Sequence, residues 1–277
     1  MKRSTVMGLL ALAVLTATLP ACVEAPITGR KQLMLLSATQ ENELGEQAYA
    51  EVLKESRASS NAAARAVLER VGRRIAAVAH QPDFQWDFTL IESDQANAFA
   101  LPGGKVAIYT GIFPLCKNEA GLAAVVGHEV AHAVLRHGGE RISQNLVVQL
   151  LGVGISEAMS ESNPELRSGV LAAFGAGTTV GVLLPFSRTH ENEADEVGMR
   201  FMARAGYDPS EAPALWERMA EQSGASPPEF LSTHPAHETR IARLRQLVPA
   251  MRAQYERAPM QYGAGETLPA VAPPPSR

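Results

Sequence analysis

Five consecutive residues, His128-Glu129-Val130-Ala131-His132, place two imidazoles four positions apart with a carboxylate beside the first. On an α-helix residues four apart share a face, so both rings can reach one metal ion. Glu129 then stands where it can take a proton from a metal-activated water without itself binding the metal. By chance these three fixed residues would co-occur in a chain of this length on the order of once in a hundred sequences, so the motif needs a second half.

Glu191-Asn192-Glu193-Ala194-Asp195 supplies a candidate for it. A catalytic zinc site takes three protein ligands and keeps one position open, and two His with one Glu is an established set. An Asp one helical turn after that Glu can accept a hydrogen bond from the outer ring nitrogen of a ligand His and so fix its tautomer. Glu193 competes as ligand by composition alone, and the whole acidic run through Glu196 could be a solvated helix face. The one-turn spacing favours Glu191 as third ligand with Asp195 behind it. One zinc ion per chain is therefore expected, held by His128, His132 and Glu191.

These residues need rigid elements under them. Asn118 is a good N-cap for a helix through Leu122, Val126 and Val130, with Gly138-Gly139 as its stop. A second helix should run from about Arg188 to Ala205 and end at Gly206. Asp208-Pro209-Ser210-Glu211 opens a third in capping-box style, and a last one spans about Pro235 to Tyr255. Upstream, Thr39 caps one helix, and another covers Asn61 to Ala79 with Val67, Leu68, Val71 and Ile75 on one face. Phe84 to Ile91 alternates like a half-buried strand. Asn97–Leu101 and Lys105–Tyr109 flank the turn Pro102-Gly103-Gly104, giving a small antiparallel sheet. The expected class is α+β, mainly helical.

Composition agrees: 46% hydrophobic and 19% charged residues suit a folded domain, and aromatics at 5% favour helices over a sandwich of strands. The net charge is -4, and without residues 1–21 there are 23 bases against 29 acids. That balance offers no basic footprint for nucleic acid.

Met1 to Ala21 has the charged start, apolar run and small residues of an export signal. Leu19-Pro20-Ala21-Cys22 then resembles a bacterial lipobox, which would make Cys22 the lipidated first residue and place the protein on the outer membrane, facing the periplasm. Residues 22–38 read as a lipidated tether, 39–256 as the catalytic domain and 257–277 as a Pro-rich disordered tail. Cys116, left without a partner, reads as a small buried apolar residue. The apolar runs 146–156 and 169–186 read as a pair of buried helices, with a membrane-dipping hairpin as the alternative.

Taken together, the His128–His132 motif, Ser187-Arg188-Thr189-His190-Glu191-Asn192-Glu193-Ala194-Asp195, Ser232-Thr233-His234-Pro235 and Asn97-Ala98-Phe99-Ala100 resemble the CAAX-prenyl-protease and HtpX-like metallopeptidases, peptidase family M48. The resemblance runs in consistent order over residues 33–250. It implies a gluzincin-like fold, Glu191 as ligand, Asp195 as partner of a ligand His, and a sheet edge that pairs with an extended peptide. It also implies that His234 lies on a loop that can approach the zinc, either blocking the open position or stabilising the oxyanion. His80, His137, His190 and His237 read as surface or loop residues. Arg188 and Arg240 read as substrate-positioning groups or as salt bridges between helices.

The reaction implied is endoproteolysis with Glu129 as general base. The implied substrates are unfolded or misassembled envelope proteins. A site kept shut by His234 would instead leave a zinc-bearing chaperone.

Overall fold

A buried helix organises the chain. In the computed structural model, which describes residues 22–158, 187–222, 228–235 and 238–271, every residue from Glu119 to Val134 is buried. A helix apolar on all sides belongs inside a core rather than on a surface. Its start is set by Asn118, whose side chain accepts from Gly121 N at 2.8 Å.

Around this helix the elements run β1 (Cys22–Glu24), β2 (Lys31–Leu33), α1 (Ala38–Glu55), α2 (Ala62–Ala79), β3 (Asp87–Ile91), β4 (Ala98–Leu101) and β5 (Lys105–Tyr109). A 3-10 turn (Thr110–Ile112) and α3 (Phe113–Cys116) lead into the buried helix α4 (Glu119–Val134). Then come α5 (His137–Ala158), α6 (Arg188–Arg204), α7 (Glu211–Glu221), α8 (Phe230–Thr233) and α9 (Glu238–Tyr255). Helices α2, α6 and α7 pack directly on α4, and β4 crosses it from the sheet side. The protein is α+β and mainly helical.

Local chemistry explains most boundaries. Ser37, rather than Thr39, caps α1, in a reciprocal capping box with Gln40. Asn61 caps α2, which buries Ala64, Val67, Leu68, Val71 and Ile75 in one stripe. Ser187 caps α6 through His190 N. Asp208 accepts from both the backbone N and the hydroxyl of Ser210, and α7 begins at Glu211, two residues later than the Asp-Pro signal suggests.

The expected antiparallel hairpin is present between β4 and β5, with Gly103 and Gly104 at φ +81° and +89° in its turn. The complete sheet is mixed rather than wholly antiparallel. Its order is β3-β5-β4, and β5 lies parallel to β3 because it inserts between β3 and its own hairpin partner. That order leaves β4 as an edge strand.

Three other expectations change. Gly138-Gly139 is not a helix stop: Arg136 takes the left-handed conformation at φ 59°, and α5 starts at His137 and runs through both glycines. A Cβ on Gly139 would sit 2.4 Å from Glu41 Oε1, so that glycine admits the carboxylate that Arg136 grips from the other side. Residues 22–38 are more than a tether, since β1 and β2 form an antiparallel hairpin. Residues 258–271 do not hang loose either: Glu119 N donates to Glu266 O, Leu268 N donates to Lys117 O, and Leu268 is buried. The carbonyls of this segment satisfy amide groups at the start of α4 that a helix cannot satisfy itself.

Cys116 is buried, as expected, and burial pushes its thiol up to about 12. Residues 1–21, the apolar run 169–186 and His237 lie outside the described residues. No helix among the described residues is long and apolar enough to cross a membrane.

Helices α4 and α6 approach each other main chain to main chain. A Cβ on Gly198 would stand 2.8 Å from His128 N and 2.9 Å from Gly127 C, both backbone atoms that cannot swing aside. Gly198→Ala should therefore force the two helices apart at a cost of about 1–3 kcal/mol. For a domain of this size that is a fall in Tm of roughly 2–12 °C. A thermal melt followed by circular dichroism measures it, and an unchanged Tm would mean the contact is not tight.

Candidate metal centre

The approach of α4 to α6 puts His128, His132 and Glu191 face to face, and the residue closing α8, His234, joins them. One ligand atom from each of these four buried residues lies within 4.8 Å of all the others. Individual separations are shorter. His128 Nε2 is 3.1 Å from His132 Nε2 and 3.2 Å from His234 Nδ1. Glu191 Oε1 is 3.4 Å from His132 Nε2 and 3.0 Å from His234 Nδ1, and Glu191 Oε2 is 3.5 Å from His128 Nε2. Ligands about 2.0–2.1 Å from a tetrahedral zinc stand roughly 3.3–3.4 Å apart. The four atoms thus have the spacing and the donor chemistry of a zinc set. Glu193, the competing acid, points away from it, towards Arg30 and His137.

Charge at the site is balanced by contacts rather than by solvent. Burial works to lower His128, but the carboxylates of Asp195 and Glu191 outweigh it and raise the ring to about 9. The same acids that favour a proton there favour a dication. Burial lowers His132, and takes His234 to about 4, which keeps their ring nitrogens available as neutral donors of lone pairs. Asp195 Oδ1 lies 3.1 Å from His128 Nδ1, the nitrogen turned away from the cluster.

Glu129 is buried beside the cleft, and its Oε1 has no hydrogen-bond partner among the described residues. His234 Nε2 is 3.5 Å from that oxygen. Burial pushes the Glu129 carboxyl up to about 8. A carboxylate with that affinity can both take and return a proton near neutral pH.

Arg240 proves to be the inter-helix ion pair. Its Nε and Nη2 each donate to Asp195 at 2.7 Å, Nη1 lies 2.7 Å from Glu191 Oε2, and its guanidinium stacks 3.5 Å over the Trp216 ring. Burial by itself would raise Glu191 and Asp195; Arg240 and the neighbouring imidazoles instead hold both below the usual carboxylate range. Arg188 is exposed and takes no such part, and His80 is exposed as expected.

Two histidines expected at the surface are buried. His137 is fully buried with Nδ1 3.0 Å from His132 Nδ1. His190 is 3 % exposed, and its Nε2 lies 2.9 Å from Glu140 Oε2. Neither could be found by periodicity, because the helix break at Arg136 that turns His137 inward carries no glycine or proline. The adjacency of His190 to Glu191 was the only hint for the other.

An open cleft of about 450 Å³ reaches the centre. The edge strand β4, Glu129, Arg141, Thr233 and His234 line it. As the edge strand of its sheet, β4 turns one side to the cleft, the arrangement by which a sheet receives an extended peptide.

Known proteins resemble this chain in sequence. The pattern of Peptidase family M48 matches residues 62–248. The chain is 37% identical over 236 residues to the mitochondrial metalloendopeptidase OMA1 of Schizosaccharomyces pombe, covering 83% of this chain and 68% of that protein. It is 34% identical over 239 residues to the mitochondrial OMA1 of Danio rerio, covering 82% and 50%. It is also 33% identical over 190 residues to the beta-barrel assembly-enhancing protease of Escherichia coli K12, covering 67% and 39%. The chain spans between about two fifths and two thirds of the length of these three relatives. With a matched pattern across most of the fold and a zinc-type donor set at its centre, the chain belongs to peptidase family M48 and is a zinc metalloendopeptidase.

Proposed function

We propose that the protein cleaves misfolded or misassembled proteins of a bacterial envelope, with zinc held by His128, His132 and Glu191. The observation that carries this reading is the juxtaposition of the four-residue donor set, the buried Glu129 and the free edge of β4 along one cleft. Zinc, when bound there, supplies Lewis-acid polarisation of the scissile carbonyl and lowers the pKa of water. Glu129 accepts the proton of the attacking water and returns it to the leaving amine. The β4 edge holds the substrate backbone extended. Asp195 keeps the His128 ring in its productive tautomer, and Arg240 keeps Asp195 ionised.

His234 governs access. Its Nδ1 stands among the three proposed ligand atoms, which supports the reading that His234 would take the zinc's remaining position and keep the site closed at rest. This closed geometry also supports a second reading, in which the protein mostly holds clients as a zinc-bearing chaperone and seldom cuts.

The bacterial envelope is argued from the export signal, the lipobox-like Leu19–Cys22 and the Escherichia coli relative, whose name concerns β-barrel assembly. The mitochondrial names belong to other relatives. In this reading a lipid on Cys22 anchors the protein to the outer membrane.

Glu129→Gln should keep zinc, measured by metal analysis, and lose casein cleavage by at least about 100-fold. Cleavage at the original rate would remove Glu129 as base. His234→Ala should raise casein cleavage by opening the fourth position; abolished cleavage would instead assign His234 to the transition state. Cys22→Ser should move the protein from the membrane fraction to the soluble periplasm in cell fractionation, and retention in the membrane would rule out the lipid anchor.

A further inference from the structure

Beside the metal centre lies a second buried polar cluster with no part in the reaction outlined above. It comprises His137, His190, Glu140, Glu193 and Arg30. The two zinc-type histidines of α4 differ in what stands behind them. His128 has a carboxylate at its outer nitrogen, whereas the outer nitrogen of His132 meets another imidazole, His137 Nδ1, at 3.0 Å. His137 Nε2 in turn lies 3.3 Å from Glu193 Oε2.

Hydrogen-bond chemistry allows one arrangement of protons along this row if His132 turns a lone pair on Nε2 towards the metal. The His132 proton then sits on Nδ1 and is donated to His137 Nδ1, which must be bare. The His137 proton sits on Nε2 and is donated to the Glu193 carboxylate. Glu193 is fixed from the other side: Arg30 Nε donates to its Oε2 at 2.6 Å and Thr28 Oγ1 to its Oε1 at 2.7 Å. The remaining nitrogens of Arg30 grip Glu140, Nη1 to Oε1 at 3.0 Å and Nη2 to Oε2 at 2.5 Å. Glu140 accepts from His190 at 2.9 Å, and the His190 ring stacks on His137 at 4.4 Å and 23°. The His137 ring is thereby locked in both plane and tautomer.

Thr28 and Arg30 belong to the turn of the β1–β2 hairpin, whose first residue is the proposed anchor Cys22. We propose that His137 is the positioning residue for His132, and that the N-terminal hairpin, through Arg30 and Glu193, is a structural part of the metal centre. The segment read from sequence as a tether therefore reaches the zinc site by a continuous row of hydrogen bonds. The inference rests on the assignment of His132 as a ligand.

The test uses the full-length zinc-loaded protein and reads zinc affinity by competition with a chromogenic chelator, together with the visible bands of the cobalt-substituted protein. His137→Phe should weaken zinc affinity by about 10–100-fold and displace the cobalt bands. Arg30→Ala should weaken it in the same direction, and should add nothing beyond about twofold in the His137→Phe background, as expected of residues acting through one relay. Affinity within twofold of the parent in His137→Phe, or unmoved cobalt bands, overturns the role of His137. An Arg30→Ala protein with parental affinity, or losses that multiply in the double variant, overturns the role of the hairpin. Should His137→Phe give no cooperative melt, Glu193→Gln paired with Arg30→Ala carries the same cycle. His132→Ala separates the two levels: zinc retained there overturns the ligand assignment, while zinc lost there but held by His137→Phe overturns the relay alone.

Discussion

Burying carboxylates is the constraint from which the rest of this structure follows. Glu129, Glu191 and Asp195 lie in the interior, each at most 4 % exposed, where an unpaired charge would cost several kcal/mol. Arg240 meets two of them at once, with a two-pronged grip on Asp195 and a third nitrogen on Glu191. Removing one partner of such a buried pair typically costs about 3–5 kcal/mol. The arginine comes from α9, the acids from α6 and the histidines from α4, so the ionic contact ties three helices around one point. Glu129 has no such partner and responds by holding its proton more tightly. Two buried acids are thereby kept ionised and a third left able to exchange protons, through environment alone.

Backbone proximity makes those contacts reachable. Gly127 and Gly198 let α4 and α6 touch main chain to main chain, and the side chains at 128, 132, 191 and 195 then converge without stretching. The edges of the assembly are fastened in similar ways. Arg30 and Glu193 join the N-terminal hairpin to α6, and Arg70 and Arg74 join α2 to Glu119 at the start of α4. The C-terminal segment supplies carbonyls to that same helix start. The metal helix is consequently held at its start as well as along its sides, which suits a centre whose side chains must not drift.

The elements were largely legible because their signals are local. Asn118 announces a helix start through a side chain that bonds three residues ahead, and the apolar stripe of α2 follows directly from its period. His128, Glu129 and His132 are readable for the same reason, since their relation is fixed by one helical turn. Glu191 and Asp195 were recognisable as a pair on one turn, and that spacing, which Glu193 lacks, favoured Glu191 before the family resemblance added to it. The signals that failed were also local in form. Gly138-Gly139 looks like a stop, yet the break is made by Arg136, whose left-handed backbone is stabilised by a distant acid, Glu41. The mixed sheet was hidden because strand direction depends on which neighbour β5 inserts beside.

Sequence by itself therefore determined the helices, the hairpin, the zinc-type residues and the chemistry they imply, because each rests on spacing within one element. Tertiary structure decided what lies behind and above those residues. It turned His137 and His190 inward, placed Arg240 between Asp195 and Glu191, set His234 beside His128, His132 and Glu191, and docked both terminal segments. All of these are contacts between residues far apart in the chain. Their energies come from burial and pairing that no window of sequence contains, so they exist only once the core has closed around them.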